Sequence, residues 1–146
     1  MNIVVDTSVW SPVLRRRPVN EDDPWVRVYR AHIGRGDCLC MIGPILQELL
    51  SGLKSRDDFE DLRASLSSVV ILDLSREVFI AAARIANACR RKGFAAGPID
   101  YMIASACVEY GYPLLTADRH FLRIARYCDL RLLPPLARTD GAGRTS

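Results

Sequence analysis

The chain has 146 residues, the size of one compact domain able to bury a substantial core without covalent staples. Hydrophobic residues make up 49% and charged residues 25%, the balance of an ordinary soluble globular protein, and no apolar run approaches the length of a membrane span. The formal charge of +3 permits a nucleic-acid partner without by itself arguing for one.

Residues 2–5 are a short β-branched run ending at Asp6 and are predicted as a buried strand. Residues 7–14 read as a helical turn or short helix, broken near Pro18. Asp23 before Pro24 makes a good helix start, cap then first position. Trp25, Val28, Tyr29, His32 and Ile33 then recur at helical spacing, up to Gly34 and Gly36. A second buried strand is predicted over residues 38–42, a turn at Gly43-Pro44, and an amphipathic helix over 45–53. Ser55 caps a helix over 56–66, and residues 69–72 form a third strand. Ser75 caps a longer helix through Lys92, with Val78, Ala82, Ile85 and Cys89 on one face and Gly93 as its stop. Gly97-Pro98 opens a helix that ends at Gly111, followed by a strand over 113–116 and a helix over 117–127. Residues 130–133 are a candidate fifth strand, and the polar, Gly-rich residues 134–146 are expected to be a frayed tail.

Apolar strands alternating with helices predict an α/β fold, a three-layer sandwich around a central, mostly parallel sheet of four or five strands. No repeat, linker or second domain is visible, so residues 1–133 are expected to be one domain. The five cysteines, Cys38, Cys40, Cys89, Cys107 and Cys128, are odd in number and irregular in spacing. Most lie in apolar runs, where cysteine behaves as a small hydrophobe rather than as a disulfide or zinc ligand. Free core thiols suit a reducing cytosol. The N-terminus has neither a basic region nor a long apolar segment, and a soluble, cytoplasmic protein is expected.

Most acids fall on polar helix faces, but four do not. Asp6 follows the first strand, at the edge where open α/β sheets bind ligands; its plain alternative is a helix cap. Glu48 lies in the helix after the second strand, above that edge or on a solvated face. Asp100 sits in the first turn of a strongly apolar helix, where the helix dipole would also stabilise it. Asp118 stands just past the fourth strand, as a cap or as a site residue. Together the four would deliver carboxylates to one sheet edge. Such a cluster repels itself and raises its own pKa values unless a cation intervenes. An oxygen donor set suits Mg2+ or Mn2+ rather than zinc, and the implied chemistry is a metal-activated water attacking a phosphodiester.

Four segments carry a family resemblance: Val5-Asp6-Thr7-Ser8-Val9-Trp10, Gln47-Glu48-Leu49-Leu50-Ser51-Gly52, Asp100-Tyr101-Met102-Ile103-Ala104 and Leu115-Thr116-Ala117-Asp118-Arg119-His120-Phe121. In this order they resemble the motifs of PIN-domain nucleases and, more narrowly, of VapC-type toxins of bacterial toxin–antitoxin pairs. The resemblance covers about residues 1–133. It implies a PIN-like fold, an Mg2+- or Mn2+-dependent endoribonuclease acting on RNA, a homodimer, and inhibition by a cognate antitoxin. Asp6 and Asp100 resemble the most direct metal ligands. Glu48 and Asp118 resemble supporting acids, binding metal directly or through water. Thr7, Ser8 and Thr116 match small hydroxyl positions that orient an acid or a water.

RNA affinity needs cations for phosphates. Arg15, Arg16 and Arg17 form one cluster. Arg119, Arg123 and Arg126 fall on one face of the predicted last helix, starting beside Asp118, as a phosphate-binding or merely solvated surface. Arg90, Arg91 and Lys92 complement a helix C-terminus. His120 is expected to be structural or exposed, because the metal mechanism needs no histidine base. Trp10, Trp25 and Tyr29 read as core, or as a dimer or antitoxin groove. Rival readings fit less well. A phosphoryl-aspartate phosphatase needs an acid where Ser8 stands, and a receiver domain needs a lysine that is missing after Thr116. A PIN scaffold without activity, or a PIN nuclease in RNA processing, remains as the alternative.

Overall fold

The computed structural model of the protein describes residues 1–15 and 18–135. Its elements are β1 (Asn2–Val5), α1 (Thr7–Leu14), α2 (Pro24–Gly34), β2 (Cys38–Ile42), α3 (Gly43–Leu50), α4 (Arg56–Ser65), β3 (Val70–Leu72), α5 (Arg76–Arg91), α6 (Pro98–Tyr110), β4 (Leu114–Leu115) and α7 (His120–Ile124). The strands form one sheet in the order β3-β2-β1-β4, and every pairing is parallel. Parallel neighbours require crossovers, and the helices supply them while covering the sheet. That is why the strands are continuous apolar runs: Ile3, Val4 and Val5 are all 0% exposed. The architecture is the three-layer α/β sandwich predicted from the alternation of elements.

From β1 the chain steps to β2 and β3 on one side, then returns to β4 on the other. The direction of winding thus reverses between β1 and β4. In open parallel sheets the crevice beyond such a reversal is where ligands bind.

Local chemistry fixes the elements. Asp23 accepts a hydrogen bond from Trp25 N–H at 2.8 Å, with Pro24 in the first turn. Ser55 and Ser75 cap α4 and α5 in the same way. Trp10 Nε1 donates to Val5 O at 2.9 Å, pinning α1 back onto the strand that precedes it. Gly111, at φ +69°, ends α6 in the left-handed conformation that turns the chain into β4. Ser105 of α6 is buried and donates to Val78 O of α5 at 2.7 Å.

Three sequence expectations are corrected. On α2 the buried face includes Val26, whereas Ile33 is 50% exposed; the helix is turned so that Tyr29 meets Trp10 edge-on at 5.5 Å and His32 meets Asp37. The helix expected over residues 117–127 shrinks to His120–Ile124, because side chains capture the backbone before it. The candidate fifth strand is a single parallel bridge, Leu114 to Leu132, flanked by two backbone bonds to Leu114. Cys40, Cys89 and Cys107 are buried free thiols, Cys128 is half-buried and Cys38 is exposed. Among the described residues no helix is long and apolar enough to cross a membrane. Residues 136–146, most of the expected tail, lie outside the described residues.

Candidate metal centre

The register of β1 against β4 pairs Val4 with Leu114 and Val5 with Leu115, so the next residues, Asp6 and Thr116, come out side by side. Asp6 N–H donates to Leu115 O at 3.0 Å. Thr116 Oγ1 donates to Asp6 Oδ2 at 2.9 Å, and Ser8 Oγ donates to the same oxygen at 2.7 Å. Both hydroxyls are in turn held by backbone N–H groups. Ala117 N–H donates to Ser8 Oγ at 2.9 Å and Asp118 N–H donates to Thr116 Oγ1 at 3.0 Å. Each hydroxyl thus accepts one N–H and gives its proton to Asp6, which as a carboxylate can only accept.

Asp6 is 7% exposed. Burial raises its pKa above the usual 3.8, and the hydrogen bonds from Ser8 and Thr116 only partly oppose this. Asp100 occupies the first turn of α6, and its Oδ2 accepts from Gly97 N–H at 3.2 Å. Its pKa is raised too, first by burial; Gly97 N–H pulls it down, while the charges of Asp118 and Asp6 push it up. Asp100 therefore senses the charges of both Asp118 and Asp6. Asp118 Oδ1 accepts from His120 N–H at 2.9 Å, a local turn that holds it beyond β4. One ligand atom each from Asp100, Asp118 and His120 lie within 4.8 Å of one another. Glu48 is exposed on α3 and reaches this group through Thr7, whose Oγ1 donates to Glu48 Oε2 at 3.0 Å.

Among the described residues no Lys or Arg lies within 4.0 Å of the Asp6, Glu48, Asp100 or Asp118 carboxylates. Two buried or half-buried carboxylates with raised pKa values and a third acid beside them, with the His120 imidazole as their basic neighbour, 3.5 Å from Asp118, fit a divalent cation, and oxygen donors fit a hard one. Asp100 and Asp118, with Asp6 near enough to act on Asp100, are the residues that could hold it; Glu48 is bonded to Thr7, the neighbour of Asp6, and is not among the ligand atoms within 4.8 Å of one another.

The arginines predicted to bind RNA are more scattered than the sequence suggests. Arg119 precedes α7, Arg123 lies within it and Arg126 follows it, so they share no continuous helix face, though all are exposed. The Arg123 guanidinium stacks on the ring of Phe94, 4.2 Å from its centre. Arg15 is exposed, with Nη2 3.5 Å from Ser51 O. Arg16 and Arg17 lie outside the described residues. Sequence reasoning places His120 beside Asp118 and reads it as structural or exposed; it does not show that the side chain also comes close to Asp100, nor that Phe94 lies beside the imidazole, ring centres 5.9 Å apart. The Asp118-x-His120 spacing was the available signal.

A parallel α/β sheet with acids converging at its reversal defines a class of metal-site folds. The family model for the PIN domain matches residues 3–127, and the chain belongs to the PIN domain family. No curated protein sequence matches it. Among solved structures it is similar to VapBC2 from Rickettsia felis bound to a DNA fragment from their promoter, at 20% identity and TM-score 0.73, covering 91% of this chain and 98% of that one. It is similar to VapBC-1 from nontypeable Haemophilus influenzae at 18% identity and TM-score 0.72, covering 91% and 97%. FitAcB from Neisseria gonorrhoeae matches at 21% identity and TM-score 0.72, again covering 91% and 97%.

Proposed function

We propose that the protein is an Mg2+- or Mn2+-dependent endoribonuclease and the toxin of a toxin–antitoxin pair, its nuclease domain spanning residues 1–133. The observation that carries the reading is the gathering of Asp6, Asp100 and Asp118 at the sheet's reversal with no Lys or Arg among the described residues to neutralise them. Asp6 and Asp100 ligate the ion directly. Asp118 and Glu48 complete the site directly or through water. Ser8 and Thr116 hold Asp6 by one oxygen, Gly97 holds Asp100, and Thr7 holds Glu48, so the acids are oriented before substrate arrives. When bound, the ion lowers the pKa of a water and offsets charge developing on the phosphodiester. Arg119, Arg123 and Arg126 bind RNA phosphates, and Arg15, Arg16 and Arg17 are further cations for them.

The toxin reading draws support from the motif resemblance to VapC-type toxins and from the similarity to two VapBC assemblies. On that reading the chain works as a homodimer and is held in check by a cognate antitoxin.

The test incubates purified protein with total cellular RNA and Mg2+ or Mn2+, beside Asp100→Asn. Cleavage that needs the ion and disappears in the variant is expected. Cleavage unchanged in the variant would place the activity elsewhere. In cells, induction should arrest growth for the native chain and not for Asp100→Asn. Co-expression of a cognate antitoxin should relieve the arrest. Absence of arrest would leave a nuclease outside a toxin–antitoxin pair.

A further inference from the structure

His120 stands beside the acids although a purely carboxylate site has no need of it. We propose that His120 supplies a nitrogen ligand alongside Asp100 and Asp118, so that the site selects Mn2+, and other ions that accept imidazole, over Mg2+. This rests on the metal-centre reading above.

The backbone N–H of His120 donates to Asp118 Oδ1 at 2.9 Å, which holds the Asp118 carboxylate at the base of the His120 side chain. Its Nδ1 lies 3.5 Å from that same carboxylate oxygen. That is longer than the roughly 2.7–2.9 Å of a charge-assisted hydrogen bond. It is close to the roughly 3 Å between neighbouring ligands in an octahedron with bonds of about 2.1 Å. The 4.8 Å envelope enclosing one ligand atom each from Asp100, Asp118 and His120 is comparable to the roughly 4.2 Å span across such an ion.

The ring does not hang free. It leans edge-on against Phe94, itself buried, and Arg123 stacks on that phenyl ring. The imidazole is nonetheless 60% exposed, so it can adjust to an incoming ion. Imidazole suits transition-metal ions, whereas Mg2+ favours oxygen and retains water. A nitrogen in the set therefore separates two ions that carboxylates alone treat alike.

The chain has two histidines, and the other, His32, is buried against Asp37. A nitrogen signal on a bound ion thus has one histidine source in untagged protein. The experiment titrates Mn2+ and Mg2+ into the untagged native chain, His120→Asn, His120→Gln and Asp100→Asn. Affinities come from calorimetry, and nitrogen coupling to Mn2+ from electron spin-echo modulation. Both His120 variants are expected to weaken Mn2+ binding by about tenfold or more, to lose the imidazole coupling, and to hold Mg2+ within about threefold of the native affinity. Native melting temperatures in the His120 variants confirm that they fold. Mn2+ bound with unchanged affinity and no nitrogen coupling, yet lost in Asp100→Asn, would overturn the inference and leave the carboxylate centre standing. Mn2+ that does not bind, or binds equally to Asp100→Asn, would overturn both.

Discussion

Asp6 keeps a carboxylate 7% exposed at the end of a buried strand, and an ionised group in that position works against folding unless a cation meets it. The sign follows from its raised pKa. Folding favours the protonated acid, so its contribution is fully present below the unfolded value near 3.8 and is lost as pH rises through the higher folded value. At neutral pH without metal, Asp6→Asn keeps an acceptor for Ser8 and Thr116 and removes the buried charge. The variant should melt higher than the native chain in EDTA, by about 1 kcal/mol of stability, while losing RNA cleavage. Calorimetric scans with EDTA and with Mn2+ check this: the ion should raise the native melting temperature more than the variant's. A variant less stable than the native chain in EDTA would contradict the burial argument. Thr116 makes the opposite kind of contribution. It is 1% exposed and links Asp6 to Asp118 N–H. Thr116→Val preserves shape but takes one of two hydroxyl donors from Asp6 and leaves Asp118 N–H without its acceptor, and should cost about 1–3 kcal/mol in urea denaturation and impair cleavage. The places of three acids were readable because Asp6 and Asp118 follow apolar strands and Asp100 opens an apolar helix; Glu48 lies inside α3 and carries no such mark. The hydroxyl relay was not readable, because it depends on the register of β1 against β4, which no local pattern encodes.

The strands were legible for the same reason that they are buried: parallel strands covered on both faces become continuous apolar runs. Caps were legible as well, since Asp23, Ser55 and Ser75 each accept the bond their position suggested. The last helix was overextended. Arginines at 119, 123 and 126 imitate a helix face, but Thr116 Oγ1 takes Asp118 N–H and Asp118 Oδ1 takes His120 N–H. Those side-chain bonds offer the backbone an alternative to helix over residues 117–119. Arg123 remains the best-anchored cation of the three, held on Phe94. On an Asp100→Asn background, which binds without cutting, Arg123→Ala should weaken RNA binding and lower the salt dependence by about one unit of slope. An unchanged slope would remove Arg123 from the phosphate contacts. Between α5 and α6, Ser105→Ala should cost about 1 kcal/mol and leave metal affinity untouched, since its hydroxyl is bonded to Val78 O of α5. Chemical denaturation and metal titration separate the two effects.

The molecule as a whole is organised by the order β3-β2-β1-β4. The alternation of elements announced a parallel sheet, but strand order is a long-range property and was not in the pattern. It is that order which brings the ends of β1 and β4 together and turns separate acids into neighbours. Glu48, delivered from the β2 side through Thr7, is the outermost of the four. If these carboxylates act through an activated water, the RNA ends record it. The measurement is an analysis of the termini produced by purified protein in Mn2+ and after EDTA. Attack by water leaves a phosphomonoester on one fragment and a hydroxyl on the other, with no 2′,3′-cyclic phosphate, and cleavage stops in EDTA and in Asp100→Asn. Cyclic phosphate ends, or cleavage that survives both treatments, would mean that the ribose hydroxyl makes the attack and that the acid cluster is not the catalytic centre.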